Sequence, residues 1–304
     1  MLSRLLLLLL PLVLSGCAVH PASQKPESGD PPLIDVYIAE TDTILRMDIE
    51  TYVAGVVAGE MPADWPPEAL KAQAILARTY TVKFLSEKES RYPGADISTD
   101  IAEAQAYDAS AVDERVLAAV EETSGEILIA QDGTLPYTWF HSHSGGTTAL
   151  AREALDWQHA EPAHTRVTEG LDSSKAPANV REWSAEFTGD EFLAACRDAG
   201  YPVRSCRSVT IAETGPSGRA VTLNIDGTIV NAARLRISLG STKMRSTLLT
   251  ELSAGDGVIR MSGRGYGHGV GMPQWGAYAL AEDGWLAEEI ALHYYNDLRI
   301  IRAW

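Results

Sequence analysis

Residues 52–82, YVAGVVAGEMPADWPPEALKAQAILARTYTV, carry the strongest periodicity in the chain. The first part is apolar and glycine-spaced, then stops on a carboxylate, Glu60, shortly before Pro62. Upstream, Asp48 is a good N-cap for a helix starting at Ile49, with Glu50 in its first turn. Ile49, Tyr52, Val53, Val56 and Val57 then share one face, and the same three-and-four spacing continues to position 60. This predicts a helix over 49–60 with Glu60 on its core-facing stripe. Pro62 prevents simple continuation. A second helix is expected from Pro67, which suits a first helical turn, through an alanine-rich body.

That placement has a chemical consequence. Desolvation and the negative end of the helix dipole both push the Glu60 pKa upward. A glutamate kept protonated near neutral pH is what a general acid needs. The alternative is a frayed last turn in which Glu60 pairs with Lys71 or Arg78, which lie on one face of the second helix. Asp64 is the nearest candidate for a second acid, or it only caps the next turn.

Outward from this stretch, LIDVYIA alternates as a strand and ILRM follows a turn. A helix is expected over 111–122, another in GDEFLAACRDAG (189–200) and another in LAEEIALHYYND (286–297). Hairpins are expected at Asp132-Gly133 and Asp226-Gly227. Strands and helices come in mixed order without regular β-α alternation. The fold class is therefore α+β, with largely antiparallel sheets and packed helices in one compact domain. GRGYGHGVG (263–271) lacks the lysine-serine or lysine-threonine of a P-loop, and no trio of its glycines has dinucleotide-fold spacing. Alternating glycines on a strand would leave one side bare for another backbone or a flat sugar ring. His268 and Gln274 are the polar groups there able to bond a saccharide. In FHSHSGG (140–146), His141 and His143 fall on one side of a strand, an arrangement that can bind a metal. With no cysteine nearby, no metal site is assigned, and a histidine-metal hydrolase stays the weakest of the readings.

The N-terminus begins with Arg4 ahead of a leucine run too short and wrongly flanked for a spanning helix, ending in LSGC. Residues 1–16 read as a lipoprotein signal, with cleavage before Cys17 and acylation there. Residues 17–31 form a lipidated end and polar tether, and 32–304 the folded domain. Ala18 resembles outer-membrane sorting, so the expected location is the periplasmic side of the envelope, held by lipid. The net charge of −16 argues against nucleic acid or an anionic lipid face, but not against a neutral sugar. Cys196 and Cys206 are expected to pair as a structural disulfide in an oxidising compartment.

YVAGVVAGEMPADWPPEALKAQAILARTYTV and GRGYGHGVGMPQWGAYALAEDGW resemble the SpoIID/LytB family of stage II sporulation protein D lytic transglycosylases and amidase enhancers. STDIAEAQAY, FHSHSGG and LRISLGSTKMRSTL add to the resemblance, which spans about residues 34–300. It implies cleavage of peptidoglycan glycan strands, with peptide-stripped strands as the expected substrate and the glutamate of the EMP motif, Glu60, as catalytic acid. Some relatives hold zinc near FHSHSGG with cysteine and histidine; this chain has Ser142 and Ser144 there and no nearby cysteine, so no cofactor is expected. The resemblance also implies a functional partner in an N-acetylmuramoyl-L-alanine amidase. Arg78, in the ARTY stretch, is implicated in activity and Lys71 shares its face. Arg245 and Ser246 fall in a substrate-cleft stretch. The enhancer branch implies a second reading, a wall-binding protein that stimulates an amidase without cutting glycan, with Glu60 as a glycan contact.

Overall fold

The computed structural model describes residues 29–304; the expected signal segment and Cys17 lie outside them. β1 (Leu33–Ile38) and β2 (Thr43–Asp48) form an antiparallel pair that runs straight into α1 (Ile49–Glu60). The Asp48 carboxylate caps α1 by accepting from the Thr51 N–H at 2.8 Å. Ile49, Tyr52, Val53, Val56 and Val57 are all buried, as their spacing predicts. Met61 leaves the helix in extended backbone, and α2 (Pro67–Glu87) begins on a proline, whose missing N–H costs nothing there.

β3 (Ile97–Ser98) adds to β1 in parallel, and α3 (Glu114–Glu122) follows, capped by Asp113. β4 (Glu126–Ala130) then departs from expectation. Asp132-Gly133 does turn, with Asp132 accepting from the Thr134 N–H. The strand that pairs with β4, however, is not the one after that turn but β13 (Leu298–Arg302), at the far end of the chain. β5 (Phe140–His141) pairs instead, in parallel, with β12 (Met272–Pro273). α4 (Ala151–Ala154) and α5 (Ala178–Arg181) are single turns.

β6 (Glu182–Thr188) and α6 (Gly189–Asp198) open the second half. β7 (Val209–Thr214), β8 (Ala220–Ile225) and β9 (Thr228–Asn231) form an antiparallel sheet whose β8–β9 hairpin turns at Asp226-Gly227, as the sequence predicts. α7 (Ala232–Leu239) leads to β10 (Leu249–Gly255) and β11 (Val258–Arg264), which pairs with both β10 and β6. α8 (Gln274–Glu282) and α9 (Ala287–His293) complete the described helices.

The mixture of helices with small, mostly antiparallel sheets gives the expected α+β class. One core gathers α1, α2, α3, α8 and α9; another fills the space between β6, β8, β11, α6 and α7. Segment 265–271 corrects the sequence expectation of a strand. It is a loop, because Gly265, Gly267, Gly269 and Gly271 all adopt positive φ, between 71° and 114°. The anticipated close approach is nevertheless there: a Cβ on Gly271 would sit 1.9 Å from the Trp139 carbonyl oxygen. That approach lets β12 reach β5 and sets the start of α8.

The expected Cys196–Cys206 disulfide is absent. Both are free thiols, Cys196 facing the second core from α6 and Cys206 turned to the Gly189 carbonyl, 3.8 Å away. Burial pushes the Cys196 thiol up to about 11.

Candidate active site

Glu60 sits half-buried at the C-terminal end of α1, and two donors hold its carboxyl. The Ala106 N–H donates to Oε1 at 3.1 Å, and the Gln274 side-chain amide donates to Oε2 at 3.0 Å. Gln274 is the first residue of α8, 6% exposed, so the β5–β12 pairing that starts α8 also aims this amide. No cation lies within ion-pair distance of Glu60 among the described residues. Burial raises the Glu60 pKa, and it outweighs the opposing pull of the two hydrogen bonds, which favour the ionised form.

The glycine spacing of α1 explains how a main-chain donor reaches this carboxyl. A Cβ on Gly55 would collide with the Tyr107 ring, and one on Gly59 would lie 2.7 Å from the Tyr107 backbone nitrogen. These bare positions let segment 105–108 lie directly on the helix, with the Asp108 N–H donating to the Gly55 carbonyl at 2.9 Å. Gly59→Ala should therefore be destabilising. The helix-propensity gain of about 1 kcal/mol is outweighed by overpacking of roughly 1–3 kcal/mol against backbone that cannot rotate away. Thermal denaturation reads the sign, and a rise in Tm would contradict this account.

Arg78 is not at this site. It is fully buried, and its guanidinium embraces Glu50, with Nε 3.0 Å from both carboxylate oxygens and Nη2 2.6 Å from Oε2. Glu50 and Glu60 stand at opposite ends of α1, about 15 Å apart at 1.5 Å per residue. Because α2 returns alongside α1, its middle meets the start of α1. The expected substrate role of Arg78 is thereby corrected: no part of it is open to a ligand. Lys71 is engaged by Glu68 at 2.7 Å and Glu122 at 2.6 Å, so neither cation forms the anticipated pair with Glu60. Ser246 is also fully buried; it accepts from the Trp183 indole N–H and donates to the Arg264 carbonyl, a structural clamp instead of a cleft contact. Arg245 is anchored to the carbonyls of Thr242 and Asn179, its guanidinium 5.0 Å from the Tyr266 ring centroid.

His268 lines a cavity beside α7 that Gln274 does not reach, and its Nδ1 accepts from the Val270 N–H. His141 and His143 are buried and turn to separate partners. His141 Nδ1 lies 3.2 Å from the Val270 carbonyl, while His143 Nδ1 accepts from the Gly145 N–H and lies 3.4 Å from Asp172. Among the described residues no group of three or more His, Cys, Asp or Glu side chains is arranged to hold a metal.

Three half-buried aromatic rings escaped the sequence reading. Trp65 and Trp275 lie 4.6 Å apart between centroids, and Tyr278 is 5.2 Å from each. Trp65 follows Glu60 by five residues and Trp275 is next to Gln274, so both segments that build the carboxyl's surroundings also carry aromatic surface.

Known proteins resemble the chain across this span. The Stage II sporulation protein (SpoIID) family profile matches residues 37–129, the span containing Glu60 and Ala106. Stage II sporulation protein D of Bacillus subtilis is 30% identical over 95% of this chain and 85% of its own length. An uncharacterised protein of Brachyspira hyodysenteriae is 30% identical over 88% of this chain and 71% of its own. The amidase enhancer of Bacillus subtilis is 27% identical over 79% of this chain, which spans only 39% of that longer protein. With 30% identity to stage II sporulation protein D over nearly the full length of both chains, added to the helix pair, the EMP turn and the glycine loop, the chain belongs to the SpoIID family.

Proposed function

We propose that the protein is a peptidoglycan lytic transglycosylase that uses Glu60 as acid and then as base. The observation that carries this is a carboxyl whose pKa is raised by burial, held by two neutral donors and no cation. In the first step the Glu60 proton passes to the glycosidic oxygen between N-acetylmuramic acid and N-acetylglucosamine as the bond to C1 breaks. In the second, the muramyl 6-hydroxyl oxygen bonds to C1 and its proton returns to Glu60. Water is not consumed, and the group ends as it began. A single residue can serve both steps when its pKa lies near ambient pH, and intramolecular attack gains from proximity. This differs from the two-carboxylate scheme of ordinary glycosidases.

Each hydrogen bond on Glu60 strengthens when the carboxyl ionises. Gln274 and Ala106 therefore stabilise the carboxylate left after the first transfer, while burial pushes the resting group toward its protonated form. The Trp65–Trp275–Tyr278 cluster supplies apolar ring faces of the kind on which pyranose rings stack. The expected lipid anchor at Cys17 would hold the enzyme at the periplasmic side of the envelope, beside its polymer.

Mass spectrometry of stem-peptide-free glycan after incubation with the protein tests the reaction. Anhydro ends, lighter by one water than hydrolysis products, are expected; products carrying an added water would replace the mechanism with hydrolysis. The similarity to the amidase enhancer supports a second reading, in which the protein binds wall and accelerates an amidase. Unaltered glycan together with faster amidase release would favour that one.

A further inference from the structure

A cavity of about 390 Å³ opens beside α7, and Arg236 on that helix lines it. Arg236 is 8% exposed. Its Nε donates to the Arg245 carbonyl at 3.0 Å, and neither terminal nitrogen has an acceptor among the described residues. No carboxylate lies within ion-pair distance of it there. Two other buried guanidiniums are treated differently. Arg78 holds Glu50, and Arg219 donates to the Thr147 and Ser144 carbonyls and to the Ser217 hydroxyl. A buried charge left unpaired is costly, and in a chain of net charge −16 carboxylates are not scarce.

The rest of the cavity wall limits what would pair with it. Ala154, Leu155, Ala233 and Ile237 give an apolar lining, with His268 on the same wall. Two acids also reach it. Asp156 is already taken by Arg234, whose Nε donates to it at 2.8 Å, and Asp198 lies at the end of α6, outside ion-pair distance of Arg236. The cavity thus offers two free guanidinium donors over an apolar surface, which suits an organic carboxylate bearing a small apolar substituent better than an inorganic anion.

We propose that this cavity is a binding site for such a carboxylate, taken from the wall polymer: the lactyl group of a muramic residue, a carboxylate carrying one methyl. Only the choice of polymer rests on the function proposed above. The site shares no residue with the Glu60 surroundings, so it would hold the glycan at a second point.

Amide NMR titration of the whole protein with N-acetylmuramic acid, N-acetylglucosamine and inorganic phosphate tests it. N-acetylmuramic acid should shift the amides of Arg236 and Ile237; N-acetylglucosamine, which lacks the carboxylate, should bind at least about tenfold weaker, and phosphate, which lacks the apolar substituent, should bind more weakly than the sugar acid. Arg236→Gln should weaken N-acetylmuramic acid at least about tenfold by the same reasoning. Should that variant fail to fold, Ile237→Asp, a change at a residue 65% exposed that adds a negative charge to the wall, decides the matter by weakening binding too. Glu60→Gln should leave it unchanged. No shift in the wild type, equal affinity in Ile237→Asp, or phosphate binding as tightly as the sugar acid would each overturn the proposal. Binding lost in Glu60→Gln and kept in Ile237→Asp would move the sugar acid to the Glu60 site, refuting this cavity while leaving the transglycosylase proposal standing.

Discussion

Glu60→Gln is expected to lower the release of anhydro ends by about 10²–10⁴-fold, the usual contribution of a positioned general acid, or about 3–5 kcal/mol of barrier. The amide keeps the shape of the side chain and its carbonyl can still accept from the Ala106 N–H, but it has no proton to deliver and cannot take one back. Stability should move the other way as pH rises. The folded protein raises the Glu60 pKa, so it binds that proton more tightly than the unfolded chain does. The stabilisation this gives is complete below the unfolded pKa and is lost as pH rises through the folded value. Glutamine cannot ionise, so the variant's Tm relative to wild type should increase from pH 4 to pH 8. Turnover unchanged in the variant would remove Glu60 from the chemistry; a Tm difference independent of pH would remove the buried proton.

Arg78→Met should cost about 3–5 kcal/mol, because removing one member of a buried ion pair strands the other. That is a large share of a typical domain stability of roughly 5–15 kcal/mol. Glu50 would keep the Gly125 N–H at 2.9 Å, the Trp304 indole at 2.9 Å and the Ser124 hydroxyl at 3.1 Å, but lose the one cation paired with it among the described residues. The carbonyls of Glu126 and Val120 would each lose a donor as well. Two results separate a structural arginine from one that touches substrate. Adding Glu50→Gln should recover part of the lost Tm, since it removes the stranded charge. Below its melting transition, Arg78→Met should retain turnover within a few-fold of wild type. A folded Arg78→Met protein with no turnover would contradict the burial argument and return Arg78 to the site.

What could be read from the sequence was local. The Asp48 cap, the apolar stripe from Ile49 to Val57 and the proline at the start of α2 follow from short-range periodicity and capping, and the structure repeats them. Gln274 was expected to touch a saccharide; its bond to a carboxyl 214 residues away depends on how β5 meets β12, which no local pattern encodes. The Ala106 donor is a backbone group and has no side-chain signature. Its only trace is the bare pair Gly55 and Gly59, which can be recognised as a docking face only once Tyr107 is seen against them. Arg78 was misassigned because helix-face reasoning gives direction around an axis but not which end of the neighbouring helix lies opposite. The strand at β4 forms as expected, but its hairpin pairing does not, because a good turn at Asp132-Gly133 does not ensure that the next strand pairs; the C-terminal strand competes for the same edge and wins.

The proposed mechanism needs a side chain at position 60 that carries a proton to deliver. Carbon-13 NMR of glutamate-labelled protein, with the Glu60 carboxyl assigned by its loss in Glu60→Gln, measures this directly. The resonance should titrate with a midpoint above the ordinary 4.5. A midpoint at or below 4.5 would mean the carboxyl rests ionised, with no proton to give.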